Sequence, residues 1–119
     1  MKIDDTTPKL VCIQLQMSER EIFEEGLREL IHEVRPSFMT VGVNGNVTVR
    51  SEDNTFLIDC SDIHDIIIIL DKKECRYLAD ALREHIDEKG EWPLDHSFES
   101  LGATIRPASL KDVVLETVG

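Results

Sequence analysis

From Asp65 to Ile86 the sequence reads DIIIILDKKECRYLADALREHI, and the fold class follows from the point where its periodicity changes. Ile66 to Leu70 form an unbroken apolar run, β-branched except for its last residue. That is the composition of a central strand covered on both faces. Asp71 interrupts the run, with Glu74 three residues later. At that spacing a cap side chain accepts a first-turn N–H and a glutamate returns the bond. Beyond it Cys75, Leu78, Ala79, Leu82 and Ile86 recur at helical spacing, so an amphipathic helix follows the strand. Gly90 is suited to end it.

The same order occurs upstream. Val11, Ile13 and Leu15 alternate with Cys12, Gln14 and Gln16, the period of a strand with one apolar face. Ser18 and Glu21 repeat the cap spacing and open a helix over residues 18–34. Its apolar face is Ile22, Phe23, Leu27, Leu30, Ile31 and Val34, and Pro36 stops it. Gly26 lies on this face at a cost of about 1 kcal/mol relative to Ala, which implies close approach by a neighbouring strand. At an offset of 55, residues 11–34 align with 66–89, and Leu15, Leu27, Arg28, Glu29, Ile31 and Glu33 match Leu70, Leu82, Arg83, Glu84, Ile86 and Glu88. An old duplication and shared helical amphipathicity both account for these matches.

Phe38–Val43, Val47–Arg50 and Thr55–Asp59 read as short strands, separated by Asn44-Gly45-Asn46 and by Ser51–Asn54. Tight turns in succession predict an antiparallel meander. Ala103–Arg106 is an expected edge strand, and Ser109 an expected cap for a short C-terminal helix carrying Leu110, Val113, Val114 and Val118. Residues 1–8 read as a loose arm, and Trp92-Pro93 as an irregular segment folding back on the core. The expected fold is therefore α+β in a single domain over residues 1–119: an antiparallel sheet of about five or six short strands, two main helices on one face and a short C-terminal helix.

Composition narrows function by exclusion. The 119 residues carry a net charge of −11, which repels nucleic-acid phosphates and anionic membranes alike. Aromatics are only 5%, so aliphatic side chains must fill the core. Cys12, Cys60 and Cys75 are odd in number, lack metal-site spacing and sit among apolar residues. Free, mostly buried thiols in a reducing cytoplasm are expected. The N-terminal residues show no secretory h-region, and no run is long enough to span a bilayer.

No motif carries chemistry outright. Cys60 and His64, or His85 and His96, do not reproduce the paired spacing of a zinc site. Asp59, Asp62 and Asp65 recur every third residue but lack the glycine and glutamate of a calcium loop. Cys75 is near a helix N-terminus, where a thiolate is favoured, but lies in the buried stripe. His64 stands between Asp62 and Asp65, carboxylates that would stabilise an imidazolium. Gly42 and Gly45 belong to a turn with no following helix to cradle phosphate. Tyr77, Ala81 and His85 form an amphipathic stripe beside the apolar face of the second helix, suited either to contact a partner or a second copy or to pack under the C-terminal segment around Trp92. The stretch Leu78–Leu82 resembles amphipathic helices of many small bacterial and phage proteins and is too short to imply a function.

The expected function is therefore a small acidic, non-enzymatic interaction or regulatory protein, of which an inhibitor or immunity-type protein is one version. It is expected in the cytoplasm. No catalytic, cofactor-binding or metal-binding residue is assigned. Its expected partner is a protein, basic or a second copy of itself, with neither nucleic acid nor membrane bound directly. Glu21, Glu24, Glu25 and Glu29 on the first helix, with Glu52, Asp53, Asp59, Asp62 and Asp65, supply the acidic surface. The alternative is a small enzyme or ligand-binding domain with a pocket near His64.

Overall fold

A computed structural model describes residues 1–88 and 95–118. The chain is α+β, with the strands divided between two sheets. β1 (Lys2–Asp4), β2 (Leu10–Gln16), β7 (Asp95–Ser97) and β9 (Asp112–Val118) form one, in the order β1-β2-β9-β7. β3 (Ser37–Val41), β4 (Asn46–Ser51), β5 (Phe56–Asp59), β6 (Asp65–Leu70) and β8 (Thr104–Arg106) form the other, in the order β3-β4-β6-β5-β8. Helices α1 (Arg20–Ile31) and α2 (Lys72–Asp87) follow β2 and β6 and pack against each other. One hydrophobic cluster joins both sheets and both helices: Val11, Ile13 and Leu15 of β2, Ile66, Ile68 and Leu70 of β6, Phe23 and Leu27 of α1, and Leu78 and Leu82 of α2.

Several expectations are corrected by this arrangement. The single sheet becomes two. The meander fails because β6 inserts between β4 and β5, parallel to one and antiparallel to the other. Of its turns only the one between β3 and β4 joins paired antiparallel strands, and these span Ser37–Val41 and Asn46–Ser51 instead of 38–43 and 47–50. The C-terminal helix is instead β9, with Val113, Leu115 and Thr117 buried at strand period. Val113, Val114 and Val118 fit a helical stripe by spacing, but the segment is rich in β-branched residues, which favour a pleated surface. It lies between β2 and β7, so tertiary pairing decides. Residues 1–8, expected as a loose arm, contain β1. Met1 and Ile3 are buried, and Ile3 pairs with Ile13. Gly90, Trp92 and Pro93 lie outside the described residues.

The first helix also starts and stops differently. Met17–Glu19 form a 3-10 turn in which the Glu19 carboxylate accepts the Gln16 N–H at 2.8 Å. Ser18 is inside that turn and caps nothing. At the other end Glu33 adopts φ 57°, Val34 N–H reaches the Glu29 carbonyl at 2.9 Å, and Glu33 N–H reaches that of Leu30 at 3.2 Å. This is a Schellman closure made without glycine, and it leaves Val34 exposed beyond the helix. Ile22 is exposed as well, leaving Phe23, Gly26, Leu27, Leu30 and Ile31 on the buried face. Asp71 caps α2 as expected, its Oδ1 accepting the Glu74 N–H at 2.9 Å.

The pairing scheme repeats itself at the offset found in the sequence. Ile3 pairs with Ile13, and Ile58 with Ile68. Asp4 accepts the Thr6 N–H at 3.0 Å, and Asp59 that of Ser61 at 2.9 Å. Leu10 pairs in parallel with Asp112, and Asp65 in parallel with Asn46. The chain is thus two ββαββ units that exchange their second hairpins. β3–β4 of the first completes the sheet of β6, and β7–β9 of the second completes the sheet of β2. Helical amphipathicity accounts for matching helices but does not require strand registers and aspartate turns to coincide. A duplication would account for all of them. β8 is an insertion between β7 and β9 that pairs with β5. At the matching place in the first unit the Asn44 side chain accepts the Ile3 N–H at 2.9 Å and donates to the Ile3 carbonyl at 2.6 Å, doing for β1 what a strand does for β5.

Two stability predictions follow from this geometry. Asp71→Ala should cost about 0.5–2 kcal/mol, whereas Ser18→Ala should stay within about 0.5 kcal/mol of the parent, both read from urea melts. Gly26→Ala should destabilise despite its better helix propensity, because a β-carbon there would lie 2.7 Å from the Phe38 ring. Overpacking of that kind costs about 1–3 kcal/mol, and Phe38→Leu in the same chain should recover part of it.

Candidate functional site

The residues first singled out for chemistry are mostly occupied with holding turns. Asp62 Oδ1 accepts the His64 N–H at 3.0 Å, and the His64 ring nitrogen Nδ1 lies 2.9 Å from the Asn44 carbonyl. His64 is exposed and belongs to the support of the β3–β4 turn, where Gly45 touches its backbone. It lines none of the three clefts described below. Asp59 and Asp62 each accept a backbone N–H two residues on, which accounts for their spacing without an ion. Among the described residues no group of three or more His, Cys, Asp or Glu is placed to hold a metal.

The cysteines are free, with Cys60 and Cys75 buried and Cys12 half-buried. Burial pushes the Cys60 thiol up to about 12 and the Cys75 thiol up to about 11, against a hydrogen bond from Ser51 that lowers the latter. Position near a helix N-terminus therefore does not make Cys75 a thiolate. Desolvation outweighs it.

Between the helices lies a carboxylate that the sequence assigned to solvent. Glu24 is 5% exposed. Arg28 Nε donates to its Oε2 at 2.9 Å and Arg83 Nε to its Oε1 at 3.0 Å. Arg28 also reaches Asp80 at 3.1 Å and Arg83 reaches Asp87 at 3.3 Å. Arg28 and Arg83 are equivalent positions of the two units. The position equivalent to Glu24 is Ala79, fully buried, so one carboxylate serves both arginines. Burial raises the pKa of Glu24, but the hydrogen bonds from Arg83 and Arg28 outweigh it and hold the group below the usual carboxylate range.

Of the three clefts, one of about 390 Å³ runs from Leu30 to Lys72, where Lys72 pairs with Glu33 at 2.8 Å. Another, of about 240 Å³, opens beside Cys60 and Pro107. The third, of about 400 Å³, lies along α2 and has the most convergent chemistry. It is lined by Tyr77, Ala81, His85 and His96 together with Asp80, Glu84 and Glu88, and Tyr77 is exposed like the carboxylates. The Tyr77 and His96 rings meet edge-on with centroids 6.1 Å apart. His85 Nδ1 lies 2.9 Å from Arg20 Nη1. A guanidinium can only donate, so the imidazole nitrogen is the acceptor in this contact. Burial lowers the pKa of His96, with His85 acting in the same direction and Asp95 opposing. Tyr77, Ala81 and His85 are the stripe read from the sequence. His96 was weighed there only as a metal ligand.

The repeat gives this cleft a counterpart. Gly26, Leu30 and Phe38 of the first unit stand where Ala81, His85 and His96 stand in the second, the last by strand register. In the first unit the Phe38 ring closes onto Gly26 and meets Phe23 edge-on at 5.2 Å. Among the described residues, the second unit has two imidazoles and a cleft in place of this apolar contact. No family model, curated protein or solved structure matches this chain. No described helix is long and apolar enough to cross a membrane.

The ion cluster makes a pH-dependent prediction. The folded-state pKa of Glu24 lies below its unfolded value, so its contribution is fully present above about pH 4.3, the usual glutamate pKa. It is lost as pH falls through the lower folded-state value. Glu24→Gln should cost about 1–2 kcal/mol at neutral pH, less than a fully buried ionic bond because both arginines are more than a third exposed. The difference from the parent should close in acid. A difference that is constant with pH would refute the charge-based account.

Proposed function

We propose that this chain is a non-enzymatic interaction protein that binds a basic protein partner through the acidic side of its two helices, as an inhibitor or immunity-type protein would. The observation that carries the reading is the α2 cleft, where the rings of Tyr77, His85 and His96 lie beside the carboxylates of Asp80, Glu84 and Glu88. Glu21 and Glu25 of α1 and Glu84, Asp87 and Glu88 at the end of α2 are exposed. Arg28 and Arg83, the cations between the helices, are already committed to Glu24, Asp80 and Asp87. An arginine or lysine side chain entering the cleft would lay its methylenes on Tyr77 and Ala81 and present its charge to Glu84 and Glu88. Such partly desolvated anchors dominate interface energetics, and the surrounding carboxylates speed the encounter. The acidic loop residues contribute differently. Strand parity puts Asp59 and Asp65 on the outward face of the five-stranded sheet, away from the face on which Phe38 meets α1.

A second reading, a ligand-binding domain or small enzyme, moves from His64 to this same cleft, favoured by the two imidazoles that face it. The two readings separate by probe. A blocked arginine amide should shift the Tyr77 and His96 ring resonances, and its uncharged citrulline counterpart should not. Capture from source-cell extract should retain a basic protein at low salt. Tyr77→Ala with Glu84→Gln should weaken that retention about tenfold or more, a loss of about 1.4 kcal/mol. Glu52→Gln with Asp53→Asn, which removes charge elsewhere, should leave it. Equal loss in both variants would reduce the effect to net charge, and response to arginine and citrulline alike would favour the small-ligand reading.

A further inference from the structure

We propose that the outward face of the five-stranded sheet, together with the free edge of β3, is an interface between two copies of this chain. Strand parity puts Met39 and Val41 of β3, Ile67 of β6 and Leu57 of β5 on that face, together with Ile69 of β6, which is itself buried. Met39 and Val41 are 57% and 70% exposed, and Val43 in the following turn is 84% exposed. No described strand pairs with the other side of β3.

The internal repeat supplies a comparison within the molecule. At the positions equivalent to Leu57, Ile67 and Ile69, the outward face of the four-stranded sheet has Lys2, Cys12 and Gln14, and opposite Met39 it has Ser97. Gln14 there donates to Glu116 at 2.8 Å. Apart from Val114 beside Cys12, one unit thus makes a mainly polar outer face on the same architecture, and the apolar positions of the other are not a demand of the fold.

The sheet edges differ in the same direction. β1, β7 and β8 end their sheets with three residues each, and each carries charge: Lys2 and Asp4, Asp95, and Arg106. β3 has five residues, Ser-Phe-Met-Thr-Val, and none is charged. Short charged edges resist the addition of a strand, whereas a longer uncharged edge accepts one.

Charge identifies the occupant. The charged strand residues on this face are Arg50, Arg106, Asp59 and Asp65, balanced in sign within a chain of net charge −11. A basic partner finds no net negative charge there, and a nucleic acid no net positive charge. A second copy related by a twofold axis, with β3 antiparallel to its counterpart, brings the same uncharged edge and apolar side chains together. That self-complementarity is what an isologous interface requires, and it continues the sheet across two chains. The surface is distinct from the helical cleft and does not depend on the reading of it.

Sedimentation velocity over a concentration series should show a dimer. Met39→Lys with Val41→Lys should give a monomer with the circular dichroism of the parent. Ile22→Lys, which alters a comparably exposed apolar side chain on α1, should leave the dimer intact. Amide exchange at residues 37–41 of the parent should slow as concentration rises, a readout that needs no variant to fold. A monomer at every concentration overturns the proposal. So does a dimer that survives the β3 double substitution, or exchange at 37–41 that is independent of concentration.

Discussion

Everything in this structure depends on two parallel strand pairs, β2 with β9 and β4 with β6. Each joins a strand of one repeat to a strand of the other. Without β9, β2 would be an edge, and Val11, Ile13 and Leu15 would lose Val113 and Leu115 beside them. Without β4, β6 would lose Val47 and Val49 beside Ile66 and Ile68. Neither ββα segment closes a core alone, and each hairpin completes the sheet it did not start. Parallel pairs formed late in sequence carry a large loop-closure cost that local contacts cannot offset in advance. The helix pair supplies the remaining link between units, with Glu24 holding one arginine from each.

Because the two units share one scheme, their differences are informative. A duplicated unit could keep a carboxylate at both Glu24 and Ala79, but two buried anions side by side would repel, and one suffices for two arginines. It could keep a phenylalanine at the positions of both Phe38 and His96, yet the second unit has an imidazole that meets Tyr77 instead. It could keep polar outer faces on both sheets, yet Leu57, Ile67 and Ile69 replace Lys2, Cys12 and Gln14. The first difference is explained by electrostatics within the fold. The other two have no such internal cause, and they mark the surfaces to which the proposed partners are assigned.

The sequence was legible where local signals and tertiary structure agree. The central strand 65–70, the Asp71 cap, the β3–β4 turn and the approach behind Gly26 were all readable from residue type and spacing, and so was the offset of 55. What escaped had a physical reason. β1 is too short to show alternation. The segment 112–118 fits two periods, and only its neighbours choose between them. The order of β4, β6 and β5 is set by non-local pairing that no turn residue encodes. Glu24 was placed on the solvated face because a helical projection counts one helix, and the burying surface is the other helix. The cleft combines a visible stripe on α2 with His96, whose position relative to it depends on β7 joining β9.

The two proposed surfaces make opposite demands on ionic strength, which follows from where the charge lies. The helical side carries the exposed carboxylates of Glu84 and Glu88 at the cleft, so attraction of a basic partner weakens as salt screens it over about 8 Å at physiological strength. The β3 face carries balanced charge and apolar side chains. Association there is driven by surface removed from water, which screening does not weaken. The general repulsion between two chains of net charge −11 is itself screened, so salt should leave the dimer intact or strengthen it. A strongly acidic chain can thus associate with itself through one face while keeping the field that draws a basic partner to another.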